Sequence, residues 1–413
     1  MFIRKWMKKK LDKALTDIQI SQSDTERSDC DSAFVEDLIM IDFIKELPFE
    51  VSVHIFTYLN PTVAIPFVSK TWNTIANDNL VWKYHYLKRW RLSGYQKRVL
   101  VPRNWKFIYQ QRIVLADNWK KGAPKTTSLV GHLDSVYCFQ YDATKLISGS
   151  RDRTIKYWNM TSSFSCYRTL VGHTGSVLCL KFNDMYLVSG SSDCTIIVWD
   201  VKTGDVLKQL AGHDAAILDI RLTDDWIISC SRDSTIKIWD INTGHILKTF
   251  DQHRTPVNCI DYSNHILASA SGDGYINIWD MKSFTLIRSF QGHLRAPACI
   301  QIKDNLLVTG SNDSMMKVWD LESGDFLKTL AGHESLVRTV CFDEDRLVSG
   351  SYDRSLKVWD YESSKLILDF PDAHATWVFH VQTDVAKIVS AGQDHQIIIW
   401  DFSEGLDVSE FSI

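Results

Sequence analysis

The sequence predicts an all-β, seven-bladed propeller preceded by a small all-α region. A His recurs seven times along the C-terminal two thirds of the 413 residues, with a period of 40 or 41 residues. An Asp follows each His by 20 residues, and a Trp follows each Asp by six. Each unit holds four short runs rich in Val, Ile, Leu and Trp between turn residues, as in SVLCLKF, YLVSGSSD, TIIVWD and DVLKQLAGH. Residues 42–83 instead show apolar residues at helical spacing.

The three repeated residue types define the blades. In chain order, the His, Asp and Trp of each unit are His132, Asp152, Trp158; His173, Asp193, Trp199; His213, Asp233, Trp239; His253, Asp273, Trp279; His293, Asp313, Trp319; His333, Asp353, Trp359; and His374, Asp394, Trp400. A catalytic or metal-binding residue has no reason to recur at equal spacing around a ring. We therefore expect a structural network in which the His bonds the Asp and a strand Ser or Thr, and the Trp indole joins them.

The phrases GH, SGSxD and W-D in these units resemble those of WD repeats, over about 280 residues. The resemblance implies four-stranded blades in a ring whose last blade is completed by a strand from elsewhere in the chain. Thr126–Val130 reads TTSLV and is similar to the outer strands of other units, so it is one candidate for the closing strand. Leu406–Ile413 is the alternative.

The cysteine pattern and the hydropathy argue against a disulfide-rich protein, a zinc protein and a protein with a membrane-spanning helix. The nine Cys are an odd number without a CxxC pair, which argues against a disulfide framework and a zinc site. Cys138, Cys179, Cys259 and Cys299 each follow a repeat His by six residues, which predicts one buried thiol per blade. No run approaches the roughly 18 apolar residues of a membrane helix. We expect a cytoplasmic or nuclear protein with no cofactor and no metal.

The net charge of −4 conceals two halves of opposite sign. Residues 1–130 carry 21 basic and 13 acidic residues, whereas residues 131–413 carry 25 basic and 37 acidic ones. Within the first half, residues 51–130 hold 13 basic residues and 2 acidic ones. The asymmetry indicates two domains with different partners, and the basic half suits either nucleic acid or an acidic protein.

The helical segment at 42–83 resembles an F-box. Its matching features are Leu47-Pro48, Ile55, Leu59, Val68-Ser69-Lys70-x-Trp72 and Leu80-x-Trp82. The resemblance implies docking onto the Skp-type adaptor of a cullin–RING ubiquitin ligase, with contacts at Leu47, Pro48, Ile55, Leu59, Val68 and Trp72. Adaptors of this family are acidic, which favours them over nucleic acid for the basic half. The alternative is an ordinary helical hairpin packed on the propeller.

We divide the chain into a partly disordered N-terminal segment (1–40), the F-box (41–84), a helical linker (85–123), the propeller (124–405) and a tail (406–413). The linker has helical spacing from Trp105 to Ile113, and its ADNWKKG phrase resembles the linker helices of F-box/WD proteins. Such a linker would fix the distance between adaptor and propeller; a simple spacer is the alternative. Residues 1–15 could form a basic amphipathic helix, although a solvated terminus is favoured.

Two positions per unit are expected to face the propeller's channel mouth. The residue five after each His reads Tyr137, Leu178, Leu218, Asn258, Ala298, Arg338 and Phe379; the residue before each turn Asp reads Arg151, Ser192, Arg232, Gly272, Asn312, Tyr352 and Gln393. Neither set contains a carboxylate, although the domain is acidic. Arg side chains that converge on one pocket can bind a phosphate by charge-assisted hydrogen bonds. The alternative is that these Arg are solvated or paired with Asp134 or Glu334.

The repeats are most similar to those of the β-transducin-repeat-containing F-box receptors, which bind a doubly phosphorylated degron. That resemblance places ligand contacts at Tyr137, Arg151, Ser176, Ser192, Asn258, Arg295, Leu336, Arg338 and Tyr352. Two positions depart from the family pattern, because Trp377 and Gly274 stand where it carries Arg. With Arg232 and Trp377, these residues form the predicted substrate face.

We therefore predict a non-catalytic substrate receptor of an SCF-type ligase, whose partners are the adaptor, the cullin–RING ligase and a phosphorylated protein. The rival is a scaffold of WD repeats without ubiquitin-ligase function, using its basic half for nucleic acid or membrane. The resemblance disfavours both of those ligands, and no small-molecule partner is expected. Homodimer formation is left open by the sequence.

Overall fold

The computed structural model describes residues 52, 70–90, 104–161, 163–343 and 346–407. Three helices lie in front of the propeller in this part of the chain: α1 (Lys70–Ala76), α2 (Asn79–Arg89) and α3 (Trp105–Lys121). Helix α2 begins at the N-cap Asp78, whose carboxylate accepts the Leu80 N–H at 2.8 Å. It runs through residue 84, where the F-box is predicted to end.

Twenty-eight strands form seven four-stranded antiparallel sheets in the described residues. Blade 1 contains β2 (Val136–Tyr141), β3 (Lys145–Ser150), β4 (Thr154–Asn159) and β5 (Cys166–Val171), and blade 2 contains β6 (Val177–Phe182), β7 (Tyr186–Ser191), β8 (Thr195–Asp200) and β9 (Val206–Ala211). Blade 3 contains β10 (Ile217–Leu222), β11 (Trp226–Ser231), β12 (Ile236–Asp240) and β13 (Ile246–Phe250), and blade 4 contains β14 (Val257–Ser263), β15 (Ile266–Ser271), β16 (Tyr275–Asp280) and β17 (Thr285–Gln291). Blade 5 contains β18 (Pro297–Lys303), β19 (Leu306–Ser311), β20 (Met316–Asp320) and β21 (Phe326–Leu330), and blade 6 contains β22 (Val337–Phe342), β23 (Arg346–Ser351), β24 (Leu356–Asp360) and β25 (Lys365–Phe370).

Blade 7 combines the last three strands of the described chain with the first one. Its order is β1 (Lys125–Val130), β28 (Gln396–Asp401), β27 (Lys387–Gly392) and β26 (Val378–Thr383). Strand β1 pairs with β28 without a register shift, from Lys125 opposite Asp401 to Val130 opposite Gln396. The closing strand therefore comes from Thr126–Val130, and the alternative that assigned it to Leu406–Ile413 is wrong.

The hydrophobic core lies between blades rather than within them. One buried cluster joins Ile147 and Tyr157 of blade 1 to Val177, Leu187 and Trp199 of blade 2. Equivalent clusters join each following pair around the ring. Because a blade buries one face only against its neighbour, the blades depend on the closed ring for their stability.

The predicted polar network is present in every blade. In blade 3, the Trp239 indole N–H donates to Ser229 Oγ at 2.8 Å, and Ser229 Oγ lies 2.8 Å from His213 Nε2. His213 Nδ1 lies 2.7 Å from Asp233 Oδ2. Since the indole can only donate, the consistent arrangement has the hydroxyl donating to Nε2 and the Nδ1–H donating to the carboxylate. Blade 5 uses Thr309 in place of Ser with the same bonds.

Burial and hydrogen bonding fix the charge states in this network. Burial lowers the pKa of His213, which keeps the imidazole neutral. Burial alone would raise the pKa of Asp233, but hydrogen bonds from Thr235 and His213 outweigh it and lower the pKa. The His–Asp contact is longest in blade 4, where His253 Nδ1 lies 3.5 Å from Asp273 Oδ2.

The four repeated thiols are buried, as predicted: Cys138, Cys179, Cys259 and Cys299. Burial raises the pKa of Cys299 to about 12, so it is a protonated packing group at neutral pH.

Helix α3 is anchored to the base of the propeller, at the end opposite the His–Asp turns. The Trp119 ring is stacked on Phe402 at 3.7 Å between centroids, and the Arg346 guanidinium covers it at 3.9 Å. The Trp119 indole N–H donates to the Val385 carbonyl at 3.0 Å. One buried cluster continues from Trp82 through Trp119 into blades 6 and 7. Helix α3 is thus a packed part of the structure, which rules out a simple spacer for its residues.

We predict that Ser229→Ala lowers the free energy of unfolding by about 2–4 kcal/mol, because it leaves two buried polar groups, His213 Nε2 and the Trp239 N–H, without partners. Ser229→Thr is the matched control, because Thr309 makes the same bonds in blade 5. Urea denaturation followed by Trp fluorescence measures both variants. Equal losses for Ala and Thr would show that the hydroxyl is not what the blade requires.

We predict that Trp119→Ala releases helix α3 from the propeller, because it removes the stack on Phe402 and the bond to Val385. Truncating a buried Trp costs about 3–5 kcal/mol. Hydrogen exchange of residues 105–121 should accelerate while the blades stay protected. Phe107→Ala on the same helix is the control, because that ring is 42% exposed. Unchanged exchange in Trp119→Ala would contradict the anchoring role.

Candidate ligand-binding face

The loop from β1 of blade 7 to β2 of blade 1 and the β3–β4 turn of blade 1, with their equivalents in the other blades, form one face of the propeller, termed the top face. At its centre, the seven residues that follow each His by five line a channel cavity of about 90 Å³: Tyr137, Leu178, Leu218, Asn258, Ala298, Arg338 and Phe379. The sequence spacing predicted this set. In blade 1 the register shifts between Val136 and Cys138, so Tyr137 is the bulged residue, and the equivalent shift recurs in each blade.

Four aromatic rings from blades 6, 7 and 1 form a continuous cluster on the top face. Tyr352 and Trp377 are stacked with centroids 4.5 Å apart and planes at 4°. Phe379 makes an edge contact with Tyr352 at 5.8 Å and a tilted contact with Tyr137 at 5.0 Å. Phe379 is buried, whereas Trp377 is 44% exposed. We term these four residues the aromatic cluster.

Two guanidinium groups act on the edge of this cluster. Burial raises the pKa of the Tyr137 hydroxyl, Arg151 and Arg338 oppose that rise, and the Asp134 carboxylate adds to it, so both cations and one carboxylate lie within electrostatic reach of this phenol. Arg338 is half-buried, and its Nη1 donates to the Ala298 carbonyl at 3.1 Å. A guanidinium has five N–H donors, so this bond positions Arg338 and leaves donors for an anion.

Arg151 is more loosely held. Its Nε lies 3.7 Å from Asp134 Oδ2, in an ion pair whose side chains are 58% and 38% exposed. An exposed pair of this kind contributes about 1 kcal/mol or less, so Arg151 can turn toward an anionic ligand at little cost. The sequence left open that the rim Arg residues are paired with nearby acidic residues. This holds for Arg151, which is paired with Asp134, whereas Arg338 bonds a backbone carbonyl.

The other predicted contact residues are distributed around the top face. The Ser176 N–H donates to Ser192 Oγ at 2.8 Å, which joins those two positions in blade 2. The Tyr352 N–H donates to the Leu336 carbonyl at 3.0 Å, so these two meet in blade 6. Arg232 and Arg295 are exposed on blades 3 and 5, whereas the aromatic cluster belongs to blades 6, 7 and 1.

Asn258 is oriented across the blade boundary. Its amide nitrogen donates to the Pro297 carbonyl at 2.9 Å.

A charged network deeper in the channel was not predicted. Arg221 Nη1 lies 2.7 Å from Asp219 Oδ1, and its Nε lies 2.8 Å from Asp261 Oδ1. Burial lowers the pKa of Arg221, but the two carboxylates outweigh it and raise the pKa. Lys181 and His380 also line the cavity, and burial lowers the pKa of both. The available signal was the position six after the His, which is Cys in four blades but Asp219 and His380 in two others.

The repeated His and Asp residues are satisfied by one another and by the blade hydroxyls, so their hydrogen-bonding capacity is used in the fold. Within the described ranges, no three His, Cys, Asp or Glu residues are grouped in a way that could hold a metal ion. None of the helices described is both long and apolar enough to cross a membrane.

The predicted adaptor contacts Leu47, Pro48, Ile55, Leu59 and Val68 lie outside the described residues. Trp72 belongs to helix α1, whose backbone is described.

Comparison with known proteins agrees with this architecture. Residues 44–88 match the F-box-like family. The WD domain, G-beta repeat family matches six consecutive segments: 123–159, 164–200, 204–240, 244–280, 284–320 and 324–360. Each matched segment begins near an outer strand, and the seventh blade is evident in the structure.

The names of similar curated proteins refer either to the F-box and the WD repeats or to the SCF ubiquitin ligase complex. The probable E3 ubiquitin ligase complex SCF subunit sconB of Arthroderma benhamiae is 32% identical over 164 residues, covering 31% of this chain and 25% of that protein. F-box/WD repeat-containing protein 7 of Drosophila melanogaster is 30% identical over 151 residues, covering 33% and 11%. F-box/WD repeat-containing protein 2 of Homo sapiens is 28% identical over 138 residues, covering 32% and 30%. The matched region spans about a quarter of the length of the sconB subunit.

A solved structure is also similar. The crystal structure of the computationally designed Ika8 protein is 32% identical, covers 66% of this chain and 85% of that one, and has a TM-score of 0.57. The spaced His, Asp and Trp, the seven closed blades and the two family matches together show that this chain belongs to the F-box/WD-repeat family.

Proposed function

We propose that this chain is the substrate-recognition subunit of an SCF-type ubiquitin ligase, and that its top face binds a phosphorylated segment of the target. One observation carries the proposal: an F-box-like segment precedes an acidic propeller whose channel mouth is basic and aromatic. Relatives named as an SCF subunit and as F-box/WD proteins support the assignment. The proposal places the chain in the cytoplasm or the nucleus.

The electrostatics of the top face favour an anion. Residues 131–413 carry 25 basic and 37 acidic residues, yet neither set of rim positions holds a carboxylate. A phosphate carries about −1.5 to −2 charges at neutral pH and three strong acceptor oxygens. Arg338 is held at the mouth by Ala298, and Arg151 can approach from blade 1. Charge-assisted bonds to these two groups would distinguish a phosphorylated peptide from its unmodified form.

In the proposed mechanism, the role of this chain after binding is to hold the target in position for the partner subunits. The receptor itself supplies no reacting group, and ubiquitin transfer takes place on partner subunits. Capture of the target beside the ubiquitin donor raises the effective concentration of its lysines. Because Trp119 is fixed between Arg346 and Phe402, helix α3 can transmit a defined distance from propeller to adaptor.

We expect Leu47→Ala combined with Pro48→Ala to abolish co-purification with the Skp-type adaptor, because both residues stand in the predicted docking motif. Leu294→Ala is a matched control, since that side chain is 91% exposed on the propeller. Affinity purification of the full chain with the adaptor measures the effect. Unaltered adaptor binding by the double variant would refute the docking assignment and favour a scaffold of WD repeats without ligase function.

We expect Arg338→Ala to weaken binding of a phosphopeptide by about 1.5–3 kcal/mol, the scale of a hydrogen bond to a charged group. Arg151→Ala should cost less, because its side chain is exposed and paired with Asp134. Arg288→Ala removes the same charge from the exposed outer strand β17 and serves as the control. Fluorescence anisotropy with phosphorylated and unmodified peptides of a captured substrate measures all three. Equal affinity for both peptides would overturn the proposal.

A further inference from the structure

The loop of blade 7 carries a large aromatic residue where the other blades carry smaller ones. Trp377 follows its repeat His by three residues, and the equivalent positions are Ser135, Ser176, Ala216, Pro256, Ala296 and Leu336. Trp377 is stacked on Tyr352 of blade 6, with planes at 4°, and remains 44% exposed. The pair forms a flat aromatic surface at the channel mouth, which we term the shelf.

A second departure in the same blade makes room for this loop. Gly392 stands where the other six blades have a Ser: Ser150, Ser191, Ser231, Ser271, Ser311 and Ser351. A Cβ on Gly392 would lie 2.7 Å from His374 Nδ1 and 3.0 Å from the Trp377 carbonyl oxygen. In blade 3, by contrast, Ser231 Oγ donates to the Ala215 carbonyl and ties the loop down. Blade 7 thus lacks the serine tether, and its loop lies where a side chain at 392 would clash.

The surroundings of the shelf restrict what can bind there. The Trp377–Tyr352 pair belongs to the same cluster as Tyr137, whose phenol lies within electrostatic reach of Arg151, of the Asp134 carboxylate that pairs with Arg151, and of Arg338. Arg338, which bonds a backbone carbonyl rather than a carboxylate, would repel a cationic side chain and so offset the usual attraction of a cation to an aromatic face. An uncharged flat ring meets no such repulsion, and stacked aromatic pairs are favourable beyond the area they bury.

We propose that the shelf binds an aromatic side chain of the target peptide, next to the anionic group held by Arg338 and Arg151. The inference deepens the proposed function and rests on it for the identity of the anion. It makes the recognised segment bipartite, with a phosphate on the basic side of the mouth and an aromatic ring stacked against Trp377.

A peptide array tests the inference on the full chain. Each peptide carries a fixed phosphoserine or an unmodified serine, and each flanking position is scanned through all residue types. We expect one flanking position to select Phe, Tyr or Trp over Ala by about two- to tenfold, the range given by one stacked pair. Trp377→Ala should abolish that selection while the preference for phosphoserine remains.

Two further variants separate the shelf from general damage. Trp377→Leu keeps apolar bulk but removes the flat ring, so it should also lose selection for aromatic residues over Leu. Tyr167→Ala is the matched control, because that ring is 54% exposed on the outer strand β5. It should behave as the unaltered chain.

The outcomes distinguish the two proposals. Selection for phosphoserine without an aromatic preference would overturn the shelf and leave the receptor function standing. An aromatic preference that is lost in Trp377→Ala, on an array whose phosphoserine and serine peptides bind with equal affinity, would support the shelf and refute the phosphate site. Selection of Pro, Leu or a basic residue at the flanking position, or aromatic selection that survives Trp377→Ala, would overturn the shelf.

Discussion

Pairing of β1 with β28 is the interaction on which the rest of the structure depends. The buried clusters lie between blades, so no blade has a complete core until both of its neighbours are present. Leu129 of β1 is packed with Val136, Trp158 and Ile399, which joins blade 1 to blade 7. Without β1, the ladder edge of β28 and this cluster would both be exposed. The buried clusters between blades are complete only when β1 pairs with β28 and joins blade 7 to blade 1.

Closure also determines how the helical region meets the propeller. Helix α3 ends at Lys121, its C-cap Gly122 adopts a left-handed conformation (φ 65°), and β1 begins three residues after Gly122. A Cβ at this position would lie 2.6 Å from Leu368, so both the backbone angle and the packing favour glycine. The short connection places Trp119 at the base of blade 7. The strand that closes the ring and the helix that leads to the F-box are thus one continuous unit.

The sequence predicted those structural features that recur in every repeat unit. Constant spacing identified the His213–Asp233 pair, its equivalents and the rim position of Arg338, because each is set by local turns that recur in every unit. Side-chain pairs between units whose residue types differ from blade to blade carry no such periodic signal. Arg221 meets Asp261 across 40 residues of sequence, and that pairing depends on which blades are neighbours and on how deep each side chain lies.

The aromatic cluster and the helix anchor were beyond sequence reasoning for a related reason. Trp377 was noted as a departure from the family pattern, but its stack on Tyr352 of the neighbouring blade, and the close approach of its carbonyl oxygen to Gly392, are visible only in three dimensions. Trp119 was assigned to the linker, yet its partners Phe402 and Arg346 come from two different blades. Neither Trp377 nor Trp119 has an equivalent Trp in the other repeat units. Their contacts are therefore set by residues that are close only in three dimensions.

The strand polarity of the blades separates the two proposed activities in space. The His–Asp turns and the channel mouth lie at one end of the strands, and the turns that contact α3 lie at the other, since Val385 follows β26 and Phe402 follows β28. A ligand on the aromatic cluster therefore does not compete with the helical region for surface. A substitution at the mouth, such as Trp377→Ala, is therefore expected to leave the contacts of Trp119 with Phe402 and Arg346 unchanged. The closed ring separates the two faces, so in the proposed receptor the residues of the top face can change while the contacts of Trp119 with Phe402 and Arg346 are kept.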